Sequence, residues 1–300
     1  MWLLLALLGN FILAVVAVMD KFILTKSVPK PAVFVFYSTV FAMPLFLFVP
    51  FGVAFPAVAV DWLIFLISGV FFSIGLWAMY IGFQESEISH VGPLVGAATS
   101  FFVIFLSRFF LSEILTTIKI IAIFVLILGS LAISFEKSKE HNGWHKGMLW
   151  GVLSGLFFAI SHVAAKYAYD KYGFYTGFIW TKSAIGLVGL AMLFLPSIRD
   201  SLKINKNHSA DKKGFLPLVL ADKVLGIAGV VLIQYAFAIG SVSLVNALAG
   251  VQYALLIILI ALLSKFYPKL FRENYTGIEI FQEAASVIII GIGLSIMVFS

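Results

Sequence analysis

Long apolar runs separated by short polar breaks make up nearly the whole chain, and each run has the length of a bilayer-crossing helix. The runs cover about Trp2–Met19, Ala32–Val49, the stretch after Asp61-Trp62 to Phe83, Ile88–Leu111 and Thr117–Phe135. They continue with Gly147–Tyr169, Thr176–Leu195, Leu216–Ile239, Val242–Leu263 and Gly277–Phe299. A hydrocarbon slab ~30 Å thick needs ~20 apolar residues per helix, so the pattern predicts ten spans. The breaks are turn-like or aqueous: Pro29 and Pro31, then Pro50, Gly52 and Pro56, then Gln84–Glu87, Ser112-Glu113, Glu136–Lys146 and Arg199–Gly214. Period-2 alternation is absent and the runs are too long for barrel strands, which excludes a transmembrane β-barrel.

Within the first run one helical face reads Ala6, Asn10, Ala14, Ala17, Lys21, at spacings 4, 4, 3 and 4. That stripe is small and polar, while Leu4, Leu5, Leu8, Phe11, Ile12 and Val15 are large and apolar. Offset by 145 residues, Gly151, Gly155, Ala159, His162 and Lys166 repeat the spacing and again end in lysine. Further matches follow in the same order in both halves. Ile88-Ser89-His90-Val91 pairs with Val242-Ser243-Leu244-Val245, and Gly92, Gly96, Thr99 with Asn246, Gly250, Tyr253. Ser112-Glu113 with Thr116 pairs with Arg272-Glu273 and Thr276, and Gly129–Phe135 with Gly293–Phe299. Five spans per copy is odd, so the second copy enters the membrane inverted, a construction associated with alternating-access carriers. The expected fold is therefore an all-α membrane protein of ten transmembrane helices in two inverted five-helix repeats. Residues 1–135 form the first, 136–146 a cytoplasmic linker and 147–300 the second, with the stripe of span 1 facing span 6.

Composition agrees. The chain is 62% hydrophobic and 11% charged, with mean hydropathy +1.10, far from a soluble domain. A net charge of +6 implies no nucleic-acid partner here, because most cations sit in loops. There is no cysteine, which excludes disulfides, thiolate metal sites and cysteine nucleophiles. No Lys or Arg precedes the first apolar run and no small-residue cleavage site follows it, so that run reads as a retained helix.

The motifs around span 4 and the following turn resemble those of the drug/metabolite transporter superfamily, in its ten-helix EamA-type branch. The resemblance rests on Ser89, Val91, Gly92, Pro93 and Leu94, then Ser112, Glu113, Leu115 and Thr116, then Gly129. It extends over the chain in two copies. Three features depart from the pattern. A proline expected near Thr99-Ser100 is missing, the turn glycine is Ser112, and Tyr-Pro-Lys-Leu-Phe-Arg precedes Glu273 in the second copy. The resemblance implies a transporter of small metabolites, amino acids, drugs, sugar phosphates or nucleotide sugars, without choosing among them.

Loop charge predicts orientation. Odd loops carry Lys26, Lys30, Lys137, Lys139, Lys146, Arg199, Lys203, Lys206, Lys212, Lys213, Lys265, Lys269 and Arg272; even loops carry Arg108, Lys119 and Lys171. The positive-inside rule then puts odd loops in the cytoplasm and both termini outside. The sequons at Asn207 and Asn274 would face the cytoplasm.

Polar residues inside apolar runs are the candidate substrate-binding residues. Lys21 and Lys166 close the two stripes, with snorkelling to the interface as the competing reading. Asn10 and His162 lie on those stripes, Lys182 is one turn into span 7 where the first copy has Tyr37, and Asp222-Lys223 interrupts span 8. A span 8 that starts only at Leu225 is the alternative. Gln234, Asn246 and Gln252 are amides that equally serve helix packing. Trp77, Tyr80 and Tyr235 would wall a cavity or simply fill a core. Glu113 and Glu273 suit turn anchors better than proton carriers.

The expected function is secondary transport, export or exchange, of a small polar or amphipathic metabolite by alternating access through a central cavity. The expected setting is the bacterial inner membrane. Asp20, Asp222 or His162 would couple it to protons, or a counter-substrate would drive exchange; the sequence assigns no oligomeric state. No P-loop supports ATP-driven transport. The alternatives are a channel or a non-transporting scaffold, and last an intramembrane enzyme. His-Glu-x-x-His is absent, and His141–His145 lacks an acid at ligand spacing, so no catalytic residue, metal or cofactor is expected.

Overall fold

The structure, a computed structural model, describes residues 1–24, 31–86, 88–134, 146–196, 198–200, 216–266 and 277–300. Its helices are α1 (Trp2–Leu24), α2 (Pro31–Val40), α3 (Ala59–Glu85), α4 (Ile88–Phe110) and α5 (Thr117–Ser134). They are followed by α6 (Lys146–Ala191), α7 (Leu216–Ile239), α8 (Val242–Ala247), α9 (Ala249–Phe266) and α10 (Gly277–Phe299). Among the described residues there is no strand. Nine helical stretches among them are long and apolar enough to cross a membrane. The chain is an all-α, multi-pass membrane protein.

The longest stretch, 49 residues from Lys146 to Phe194, accounts for two predicted spans. Gly173, at φ 74° and ψ 165°, breaks α6 into an arm α6a (146–172) and an arm α6b (174–191). That conformation is open to glycine and strained for other residues, so one residue turns the chain. The arms pack on each other: a Cβ at Gly177 would lie 2.8 Å from Tyr169 Cδ1.

Three local features differ from the sequence pattern. Span 2 is α-helical only to Val40 and continues as a 3-10 segment, Met43–Phe48, because Pro44 has no N–H for the Val40 carbonyl and its ring crowds that carbonyl. Span 9 is parted at Leu248, with α8 on one side and α9 on the other. Asp222-Lys223 does not interrupt span 8, since α7 runs unbroken from Leu216 to Ile239.

Packing follows the small-residue stripes. The α1 stripe is buried at Ala6, Asn10 and Ala14, and α1 packs chiefly on α7 and α9. This corrects the expectation that it faces span 6: Ala14 and Val18 cluster with Leu256 and Ile260 of α9. The matching stripe on α6a faces α4. A Cβ at Gly155 would fall 2.5 Å from Ala98 Cβ, so the two backbones meet with no room for a side chain. The α3–α6a seam is zipped by reciprocal bonds: Ser161 Oγ donates to the Ser68 carbonyl (2.8 Å) and Ser68 Oγ to the Ser161 carbonyl (3.1 Å). The outer face of α3 is an exposed apolar stripe, Leu63, Leu66, Val70, Ile74 and Trp77, as a lipid-facing helix requires.

Candidate functional site

Polar side chains gather where α4, α6a and α8 meet. Asn246, in the last turn of α8 before the parting at Leu248, donates through Nδ2 to the Val242 carbonyl at 2.8 Å. Its Oδ1 therefore faces the His162 Nδ1, also at 2.8 Å. An amide oxygen only accepts, so Nδ1 carries the hydrogen and Nε2 is left with its lone pair free. Ser100 Oγ on α4 donates to the Asn246 carbonyl at 3.0 Å and brings the first half of the chain into the group. The imidazole lies between two rings, stacked on Phe158 at 6.1 Å and tilted against Phe237 at 5.1 Å.

Lys182 of α6b enters the same region. Its side chain is 7% exposed, and Nζ lies over the rings of Phe72 (5.2 Å) and Phe178 (5.9 Å). Phe72 in turn packs on Phe158 at 5.4 Å, which links Lys182 to His162 through adjoining rings. Cation–π contact supplies part of what the ammonium loses on leaving water.

A second polar group joins α6a to α7. Tyr169 donates to Gln234 Oε1 at 2.6 Å with both side chains buried. Lys166 donates to the Ala238 carbonyl (3.3 Å) and pairs with Asp170 (2.8 Å), so it ties α6a to α7 as well as to its own next turn. Tyr235 stacks edge-on against Phe174 at 5.0 Å.

The remaining sequence candidates disperse. Asn10 is buried, but its amide donates back to the Ala6 carbonyl at 2.8 Å within α1. Tyr80 packs against Phe83 in the cluster of α2, α3 and α4, and Gln252 is half-buried on α9. Trp77, 41% exposed on the lipid-type stripe of α3, is placed away from the polar group; helical phase turns it outward. Asp222 on α7 is fully buried, with Lys223 Nζ at 2.9 Å and Lys223 itself half-exposed. The side chains of Lys21 and Asp20 lie outside the described residues, as do Glu273, both sequons and His141–His145.

Sequence reasoning missed one arrangement. Asp61, at the start of α3, collects Lys171 Nζ (2.8 and 2.9 Å), Tyr172 OH (2.6 Å) and Tyr167 OH (3.1 Å) from the end of α6a. Tyr167 and Lys171 are four apart, one face of a helix, and that spacing was the available signal. Glu113, a turn anchor by its position in the sequence, takes a bond from Ser243, whose hydroxyl is also 2.8 Å from Ser107, so the α4–α5 turn is fastened to the start of α8. Two clefts at the molecular surface lie away from this polar group, one of about 190 Å³ beside Trp62 and Trp180, the other along Ile104–Phe110 of α4.

Comparisons with known proteins agree with this architecture. Residues 1–135 match the family model described as the EamA-like transporter family. The matched stretch contains Ser89–Leu94, Ser112, Glu113, Leu115, Thr116 and Gly129, the residues that carry the resemblance. One crystal structure of a protein is similar over 98% of this chain and 94% of its own, with TM-score 0.66 and 16% identity. At that identity the likeness concerns the fold. No curated protein matches the chain.

Proposed function

We propose, from the premise that residues 1–135 form an EamA-like transporter unit in a multi-pass membrane protein, that the chain is a secondary transporter. It exports or exchanges a small polar or amphipathic metabolite across a bacterial inner membrane. Transport proceeds by alternating access at a central site built around His162, Asn246, Lys182 and Ser100.

The observation that carries this reading is the hydrogen-bonded His162–Asn246 pair beside the parting of span 9 at Leu248. Carrier substrate sites form at discontinuous helices near the midplane, where backbone groups leave the helical ladder and side chains converge. The His162–Asn246 cluster combines polar side chains from both halves with Leu248, the single turn residue between α8 and α9.

Two contacts support the inverted repeat. Between α5 and α10, a Cβ at Gly129 would meet Ile290 Cγ1 at 2.5 Å, and one at Gly293 would meet Leu126 Cγ at 2.9 Å. Positions 126 and 129 map onto 290 and 293 with one offset, so the contact is self-complementary, as a two-fold axis requires. Likewise α1 packs on α7 and α9 where α6a packs on α3 and α4, the pairings that exchanging the halves would generate.

Counterflow in proteoliposomes tests the proposal. Vesicles loaded with an unlabelled metabolite should accumulate the labelled one, and His162→Phe and Asn246→Leu should lower the rate at least ~10-fold by removing polar contacts at the site. Flux that rises linearly with concentration and shows no trans-stimulation would identify a channel instead.

A further inference from the structure

We propose that the central site selects organic anions, with the Lys182 ammonium receiving the substrate's carboxylate and the surrounding rings its apolar body. This rests on the carrier reading and adds the substrate's class and the residue that reads it.

The argument begins with charge pairing. Three acids among the described residues each have a lysine of their own: Asp61 has Lys171, Asp170 has Lys166, and Asp222 has Lys223. Lys182 has no such partner among them. Its neighbours are the faces of Phe72 and Phe178, and the residue is buried. A cation at this depth without a counter-charge is costly to the fold, and such residues face ligand pathways more often than lipid. Ring faces hold an ammonium in place without neutralising it, so its charge stays available.

Next comes shape. Phe72, Phe158, Phe178 and Phe237 surround Lys182 and His162. A carboxylate against Nζ would place the rest of a small molecule among these rings. His162 Nε2, whose partner nitrogen is committed to Asn246, is a polar atom there with a lone pair to accept from a hydroxyl or amine on the substrate. The site thus combines one fixed cation, one acceptor and an aromatic wall, which suits a carboxylate with an apolar or aromatic body. It offers a cationic substrate no counter-charge. The first copy has Tyr37 where the second has Lys182, and Tyr37 is exposed, so the cation is a feature of one half only.

The test uses the purified full chain in detergent, with isothermal titration of 3-phenylpropanoate, its neutral amide 3-phenylpropanamide and the cation 3-phenylpropylamine. A charge-assisted bond lost with the amide corresponds to about tenfold in affinity. The acid should therefore bind about tenfold tighter than the amide, and the amine weakest. Lys182→Met should bind acid and amide alike while melting no lower than the parent, and Lys182→Arg should keep the preference. Equal binding of acid and amide by the parent, or a preference that survives in Lys182→Met, overturns the proposal; if that variant does not fold, Lys182→Gln and Lys182→Arg make the same comparison. Counterflow separates the two readings. A Lys182-dependent preference without trans-stimulated flux would sink the carrier and leave the anion site. Trans-stimulated flux of neutral solutes, unchanged in Lys182→Met, would do the reverse.

Discussion

Asp61 and Lys171 form a two-pronged ion pair across the α3–α6a seam, with both carboxylate oxygens within 2.9 Å of Nζ. Asp61 is 1% exposed and Lys171 half-exposed, so the acid depends on its donors more than the lysine depends on it. Removing Lys171 leaves a buried carboxylate held by two phenols. Lys171→Met should lower the melting temperature clearly, and Asp61→Asn less. The double variant should melt higher than the summed single losses imply, because the two act through one contact. Additive losses in thermal unfolding would show that the pair is not coupled.

The Tyr169–Gln234 bond gives a second prediction. Tyr169→Phe leaves the Gln234 carbonyl buried without its donor, at a cost of about 1–3 kcal/mol. Replacing both, Tyr169→Phe with Gln234→Leu, should recover much of that loss, since neither polar group is then stranded. Denaturation of the solubilised chain measures this. A double variant as unstable as the single one would argue that Gln234 has another obligatory role.

Close backbone approach makes Gly155 intolerant. With Ala98 Cβ 2.5 Å from the position of a new Cβ and the Thr99 backbone nitrogen at 2.8 Å, Gly155→Val must push α4 from α6a. Overpacking of this kind costs about 1–3 kcal/mol. It also displaces Ser100, one residue beyond Thr99, so counterflow should fall with stability. Full flux in Gly155→Val would mean the seam is looser than these distances.

Ser112 tests the turn. It has φ 53°, the left-handed region, where the resembling family pattern has glycine. Relief of about 1–2 kcal/mol of strain, less the added freedom of glycine when unfolded, leaves Ser112→Gly more stable by up to about 1 kcal/mol. A lower melting temperature would show that the serine makes a contact worth more than the strain.

Orientation is open to direct chemistry because the chain has no cysteine. Ile114→Cys, at an 82% exposed position between α4 and α5, should react with an impermeant maleimide added outside intact cells. Lys206→Cys should react only after the membrane is opened. The opposite result would put the termini in the cytoplasm and defeat the loop-charge count.

The sequence by itself determined what depends on composition and local spacing. Ten apolar runs imply helices because a bilayer leaves no other way to satisfy that many backbone groups, and the glycine stripes announce faces of close approach. The turn motif with Ser112, Glu113 and Thr116 lies in the stretch, residues 1–135, that matches the EamA-like transporter family model. Polar residues within spans marked His162, Lys182 and Asn246 as candidates, since each is expensive in lipid unless it has company. Which company it keeps was decided only by the fold. His162 meets Asn246 from 84 positions away, Lys166 reaches the Ala238 carbonyl, and Asn10 only bonds back to its own helix. Those outcomes depend on the rotation and pairing of helices, to which hydrophobicity in so uniformly apolar a chain is nearly blind. For the same reason α1 could be read as facing span 6 and Trp77 as lining a cavity: the periodicity defines a face, and only packing against α7, α9 and lipid says where that face points.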